Sequence, residues 1–182
     1  MRRYLLKDPI TRSFIDYLFI EKGLSQNSVK SYQSDLLHFM EWSVQALKIP
    51  AKLTTSQDIN KYIKYLFDQD FKSSSVNRKI SSIKAYFIFL KKKKYIDVIP
   101  TEDIPIPKQN KNLPNSMSEK DVETLLSCIN AKKDIEIRDK AMVELLYATG
   151  VRVSELINIK FSNIDMNRNV VRVLGKGSKE RL

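Results

Sequence analysis

Through the first half of this chain, apolar positions recur at three- and four-residue steps, the period of a helix with one buried face. In "DPITRSFIDYLFIEKG", Asp8 stands at the N-cap, Pro9 at the first helical position and Gly23 at the stop. "SQNSVKSYQSDLLHFMEWSVQAL" follows, with Val29, Tyr32, Leu36, Phe39 and Met40 on one stripe. "TSQDINKYIKYLFDQD" repeats the pattern with Ile59, Ile63, Leu66 and Phe67. "SSSVNRKISSIKAYFIFLKKKK" does so with Val76, Ile80, Ile83, Phe87 and Leu90. Four amphipathic helices with short connections predict a small bundle over residues 1–94.

The period is lost over residues 95–116, "YIDVIPTEDIPIPKQNKNLPNS", which hold four of the six prolines and read as an extended linker. Beyond it, Ser118 with Asp121 three residues on gives a capping-box start to "SEKDVETLLSCIN". "IEIRDKAMVELLYATG" predicts an amphipathic helix stopped by Gly150 in the left-handed conformation, and "RVSELINI" a short helix after it. "NVVRVLGKGSKERL" alternates around a Gly-rich turn and predicts a β-hairpin whose second strand is short. The expected fold class is mainly α: a four-helix bundle, then part of a mixed α/β domain over residues 117–182.

Composition narrows the class. The chain has 182 residues, 42% hydrophobic and 29% charged, as in globular domains. It contains no apolar run long enough to span a bilayer, and "MRRYLLKDPITRSF" lacks the apolar centre of a signal peptide. Cys128 is the only cysteine, which excludes an internal disulfide framework and suits a reducing, cytoplasmic setting. The formal charge of +11 is uneven: residues 1–100 hold 18 Lys and Arg against 9 Asp and Glu, a net of +9. Such an excess points to a polyanionic partner, because neutralising phosphates releases counterions. A merely lysine-rich composition is the plainer alternative, and a helical protein-interaction domain fits the asymmetry less well.

Candidate contacts follow from the helical wheel. Arg78, Lys79 and Lys84 lie off the apolar stripe of the fourth helix, and Lys30 and Ser31 flank Tyr32 on the second, where they could reach phosphates. A solvated basic face is the competing reading. Lys91 to Lys94 read as solvated charge at a helix end, Cys128 as a small core residue, and the single histidine, His38, as packed or solvated.

"ATGVRVSEL", followed 24 residues after its arginine by the lysine of "LGKGSKERL", resembles the catalytic-domain opening of the tyrosine recombinases, nearest to the bacterial Xer type. "NSVKSYQSDLLHF" and "SVNRKISSIKAYFIFL" resemble that family's helical, SAM-like core-binding domain. The resemblance implies site-specific DNA recombination and integration through a 3′-phosphotyrosyl link, chromosome partition in the Xer branch, and no metal or nucleotide cofactor. It also implies double-stranded DNA as partner, gripped between the two domains, and a tetramer with full-length relatives, away from membranes.

Arg152 matches the family's first catalytic arginine and Lys176 its hairpin lysine. A planar guanidinium can grip two non-bridging phosphate oxygens, and a lysine in a turn can protonate the leaving 5′-oxygen. Lys179 joins the DNA-contacting set. The family also requires a His-x-x-Arg box and a tyrosine nucleophile, and neither follows Lys176 here; Tyr147, on the helix before Arg152, reads as core. The sequence therefore reads as a truncated recombinase that is inactive alone, or as a non-catalytic DNA-binding module.

Overall fold

The computed structural model describes residues 8–105, 116–175 and 180–182. It is mainly helical, and the chain divides into two compact units, residues 1–112 and 113–182.

The first unit is the four-helix bundle. Helix α1 (Pro9–Asp16) begins where the Asp8 carboxylate accepts the Thr11 N–H and hydroxyl, each at 2.8 Å. It widens into one π turn (Tyr17–Glu21) and stops before Gly23, whose φ of +60° favours a residue without Cβ. Helix α2 (Gln26–Trp42) is capped by Ser25 and continues into a second π turn, Ser43–Leu47. Helix α3 (Ser56–Asp68) carries a complete capping box between Thr55 and Asp58. Helix α4 (Ser73–Lys92) packs against both α2 and α3.

The core these helices enclose is aromatic. Phe14 meets Tyr86 edge-on at 5.3 Å, and Phe39 meets Tyr62 edge-on at 5.0 Å. All the stripe positions expected on α4 are fully buried, and Tyr86 and Phe89 widen the buried face beyond them. On α3 the stripe differs from the expected one. Ile59, Tyr62 and Leu66 point inward at helical spacing, and Phe67, one residue further round, is exposed. Burial raises the pKa of the Tyr62 and Tyr86 phenols, with Asp35 adding to the effect at Tyr62 and Asp8 at Tyr86.

Part of the proline-rich stretch belongs to this unit. Thr101 and Ile104 are buried, and Ile96 and Ile99 pack on the core. The Ser56 hydroxyl donates to the Pro100 carbonyl at 2.8 Å, and Lys84 Nζ donates to the Ile104 carbonyl at 2.7 Å. Proline content alone predicts an extended connector from residue 95, but isoleucines spaced between the prolines give residues 95–105 an apolar edge to bury. Residues 106–115 lie outside the described residues.

The second unit has helices α5 (Glu119–Cys128), α6 (Asp134–Thr149) and α7 (Val153–Leu156). Ser118 and Asp121 form the expected capping box, and Gly150 ends α6 with φ of +62°. Among the described residues of this unit, Val122, Leu156 and Val173 are the buried apolar side chains. Helix α6 buries none; Ile135, Ile137 and Tyr147 are all more than half exposed. The placement of Tyr147 in a core is thereby corrected, as is that of Cys128, which is exposed on α5.

Two short antiparallel ladders follow. Strand β1 (Ile164–Asp165) pairs with β2 (Val170–Val171), and β3 (Val173–Leu174) pairs with β4 (Glu180–Arg181) in the register Val173 to Arg181. The expected hairpin is thus β3–β4, while β1–β2 is an addition that two-residue strands are too short to announce by alternation. The Asp165 carboxylate closes its turn by accepting the Asn167 and Arg168 N–H groups. No helix among the described residues is long and apolar enough to cross a membrane.

Candidate functional site

The ordering of Arg152 begins with Gly150. Once that residue has turned the chain out of α6, Arg152 is extended (φ −72°, ψ 151°) and caps α7. Glu155, one turn into α7, reaches back to it. Its carboxylate accepts the Arg152 backbone N–H at 2.8 Å and the Arg152 Nη1 at 2.8 Å. Arg181 on β4 donates to the same carboxylate at 2.6 Å. Glu155 is buried and its pKa is lowered, first by the Arg152 N–H and then by the two guanidinium groups, against the opposing effect of burial.

One carboxylate between two guanidinium groups leaves this corner with a positive excess. The Arg152 side chain is 62% exposed, so the excess faces solvent. Its fork has five N–H donors, and Glu155 occupies only part of that capacity. A phosphate is a fitting second anion, because it presents paired oxygens to a planar fork already held in place.

Motif reasoning singles out Arg152 and passes over Glu155 and Arg181. The signal for Glu155 is the Arg-x-x-Glu spacing, the same three-residue step that makes a capping box. Arg181 carries no local signal and is brought in by the β3–β4 register. Lys176 and Lys179 lie outside the described residues.

In the first unit the structure separates the expected contact residues. Lys30 and Ser31 are exposed on α2, and the Ser31 hydroxyl donates to the Asn27 carbonyl at 2.9 Å. Arg78 on α4 is half exposed, with its Nη1 on the Asp35 carboxylate. Lys79 is corrected to an inward position. Its side chain is buried, with Nζ at 3.5 Å from Asp35 and 5.3 Å from the Phe71 ring centre. Burial lowers its pKa, and Asp35 opposes that shift. Position on the helical wheel places Lys79 outside the stripe, but the buried face of α4 is broad enough to include it.

Lys84 is half-buried and occupied by the Ile104 carbonyl, so it too departs from a freely presented cation. His38 is packed as expected, with Nδ1 at 2.7 Å from the Tyr62 hydroxyl and its ring among Tyr62, Tyr65 and Phe71. The lysine run is exposed, and Lys92 pairs with Glu21 at 2.7 Å while lying 4.9 Å from the Tyr17 ring centre.

Residues 12–94 match the family described as phage integrase, N-terminal SAM-like domain, and residues 115–182 match the phage integrase family itself. Tyrosine recombinase XerD of Haemophilus ducreyi is 44% identical over 176 residues, which cover 96% of this chain and 58% of the relative. XerD of Shewanella oneidensis is 39% identical over 175 residues, with coverage of 96% and 58%. The chain belongs to the Xer-type tyrosine recombinases.

It spans 58% of the length of both of these relatives. The fold is shared with solved recombinases. A lambda integrase dimer bound to a COC′ core site matches with a TM-score of 0.73 at 17% identity, over 93% of this chain and 60% of that one. The Tn1549 transposon integrase in complex with circular intermediate DNA matches with a TM-score of 0.67 at 17% identity, over 94% and 57%. As a tyrosine recombinase chain, the protein has its SAM-like match in the four-helix bundle and its integrase match in the unit that carries Arg152.

Proposed function

We propose that this chain binds duplex DNA and takes the part of site-specific recombination that grips the strand and its reacting phosphate. The bundle offers Lys30, Ser31 and Arg78 to the sugar–phosphate backbone, and Arg152 holds the non-bridging oxygens of the phosphate to be cut. The observation that carries this reading is the exposed Arg152 guanidinium, held from behind by buried Glu155. Charge builds on those oxygens during in-line displacement, and a donor already in place stabilises it without reorganising. Lys176 is assigned the proton for the leaving 5′-oxygen, and Lys179 a further backbone contact. No metal or nucleotide is required.

The 182 residues contain no His-x-x-Arg box and no tyrosine after Lys176. In this reading the described units bind and orient the DNA, and the His-x-x-Arg box and tyrosine of the family's chemistry stand outside these 182 residues, as in a full-length relative. A second reading is that these residues occupy sites without cutting and interfere with such a relative.

The test is a nicked suicide duplex incubated with this chain alone. A DNA shift in native gels with no adduct surviving denaturation is the expected result. An adduct that survives, mapped to Tyr147 or any other tyrosine, would overturn the proposed division between binding and chemistry.

A further inference from the structure

The bundle interior holds one feature that packing alone does not account for. Asp35 on α2 is 1% exposed, and all its described donors come from α4. Arg78 Nη1 and the Ser82 hydroxyl (3.1 Å) reach its Oδ2, and Lys79 Nζ stands 3.5 Å from its Oδ1. One buried anion thus faces two cations, and the cluster carries a net positive charge. Lys79 is buried and Arg78 is half exposed, so the excess emerges at the Arg78 guanidinium.

Holding two helices together does not require this arrangement. Apolar side chains of similar volume do so as well or better, because a buried carboxylate must first be stripped of water. What an apolar contact cannot do is aim a guanidinium. Asp35 accepts from one nitrogen of the Arg78 fork, Nη1, and tethers the side chain there, leaving further N–H donors of the fork to be directed outward. An arginine held in this way gives up less side-chain freedom when it meets an anion.

We infer that Asp35 is a positioning residue that holds Arg78 ready for a backbone phosphate of duplex DNA. The inference rests on the DNA-binding reading above and adds to it a residue that never touches the nucleic acid.

Charge and geometry predict opposite outcomes here, which makes the idea testable. Removing a negative charge close to DNA should tighten binding if Asp35 acts only through its charge. Loss of positioning should weaken it. The experiment measures the affinity of the full chain for a labelled duplex at one low salt concentration, for wild type, Asp35→Asn, Arg78→Ala and the double variant. Folding is monitored in parallel by circular dichroism and Trp42 fluorescence.

Arg78→Ala is expected to weaken binding about tenfold, as for a lost charged hydrogen bond. Asp35→Asn should weaken it severalfold in spite of the added positive charge. The double variant should match Arg78→Ala, because neighbours that act as a unit are not additive. Equal or tighter binding by Asp35→Asn, with Arg78→Ala still weak, overturns the inference and leaves the DNA-binding reading standing. An unaffected Arg78→Ala overturns the inference and removes Arg78 from the contact surface, and a wild type that binds no duplex overturns both readings. Should Asp35→Asn fail to fold, Arg78→Lys decides. It keeps the charge but not the fork, and affinity equal to wild type overturns the inference.

Discussion

Phe39→Ala is expected to destabilise the bundle by about 3–5 kcal/mol, the range for removing a large aromatic from a closed core. Phe39 is fully buried, meets Tyr62 edge-on at 5.0 Å, and lies 6.2 Å from Trp42 and 6.4 Å from Phe87 between ring centres. Its neighbours are themselves large and mutually packed, so they cannot relax into the space and a cavity remains. Domains of this size are stable by only about 5–15 kcal/mol, so the loss takes a large share of the total. Trp42, the only tryptophan, is buried beside Phe39 and reports the transition. A urea midpoint lowered by more than about 1 M is expected, given slopes of roughly 1–3 kcal/mol per M for small proteins. A midpoint within experimental error of wild type would show that the ring is not part of a cooperative core.

The second large effect is a contrast between the two units in hydrogen exchange. Amides of α2 and α4 sit over a continuous aromatic and aliphatic core and should exchange only through global opening. The second unit has Val122 on α5, Leu156 on α7 and Val173 on β3 as its buried apolar side chains among the described residues, and α6 has none. In this chain alone the amides of α5, α6 and α7 should exchange at least about a hundredfold faster than those of α2 and α4. Equal protection through α6 and α4, on a monomer, would mean that the second unit has a core of comparable strength.

What could be read from the sequence follows from how local each signal is. The helix starts at Asp8 and Ser118 and the stops at Gly23 and Gly150 are decided within one turn of chain and are legible, while the caps at Ser25 and Thr55, equally local, emerge from the structure. Arg152 was legible because its motif is contiguous. Glu155 carries only a local spacing, and a capping carboxylate looks the same whether or not it also holds an arginine side chain. Arg181 and the Asp35 cluster depend on long-range contacts, a strand register in one case and a helix pairing in the other. Lys79 shows the limit of the helical wheel. The wheel ranks positions by angle, while burial depends on how wide a face the neighbouring helices cover. The proline-rich stretch shows the same limit, since only the packed bundle offers Ile96, Ile99 and Ile104 a surface to bury against.

The most direct test of the account is the salt dependence of duplex binding by the full chain. Affinity should fall linearly on a log–log plot as salt rises, and replacing Lys30 and Arg78 together with alanine should flatten the slope by about 1.8, near 0.9 for each phosphate contact removed. Binding that is independent of salt, or a slope the double variant leaves unchanged, would contradict the placement of DNA on the α2 and α4 face.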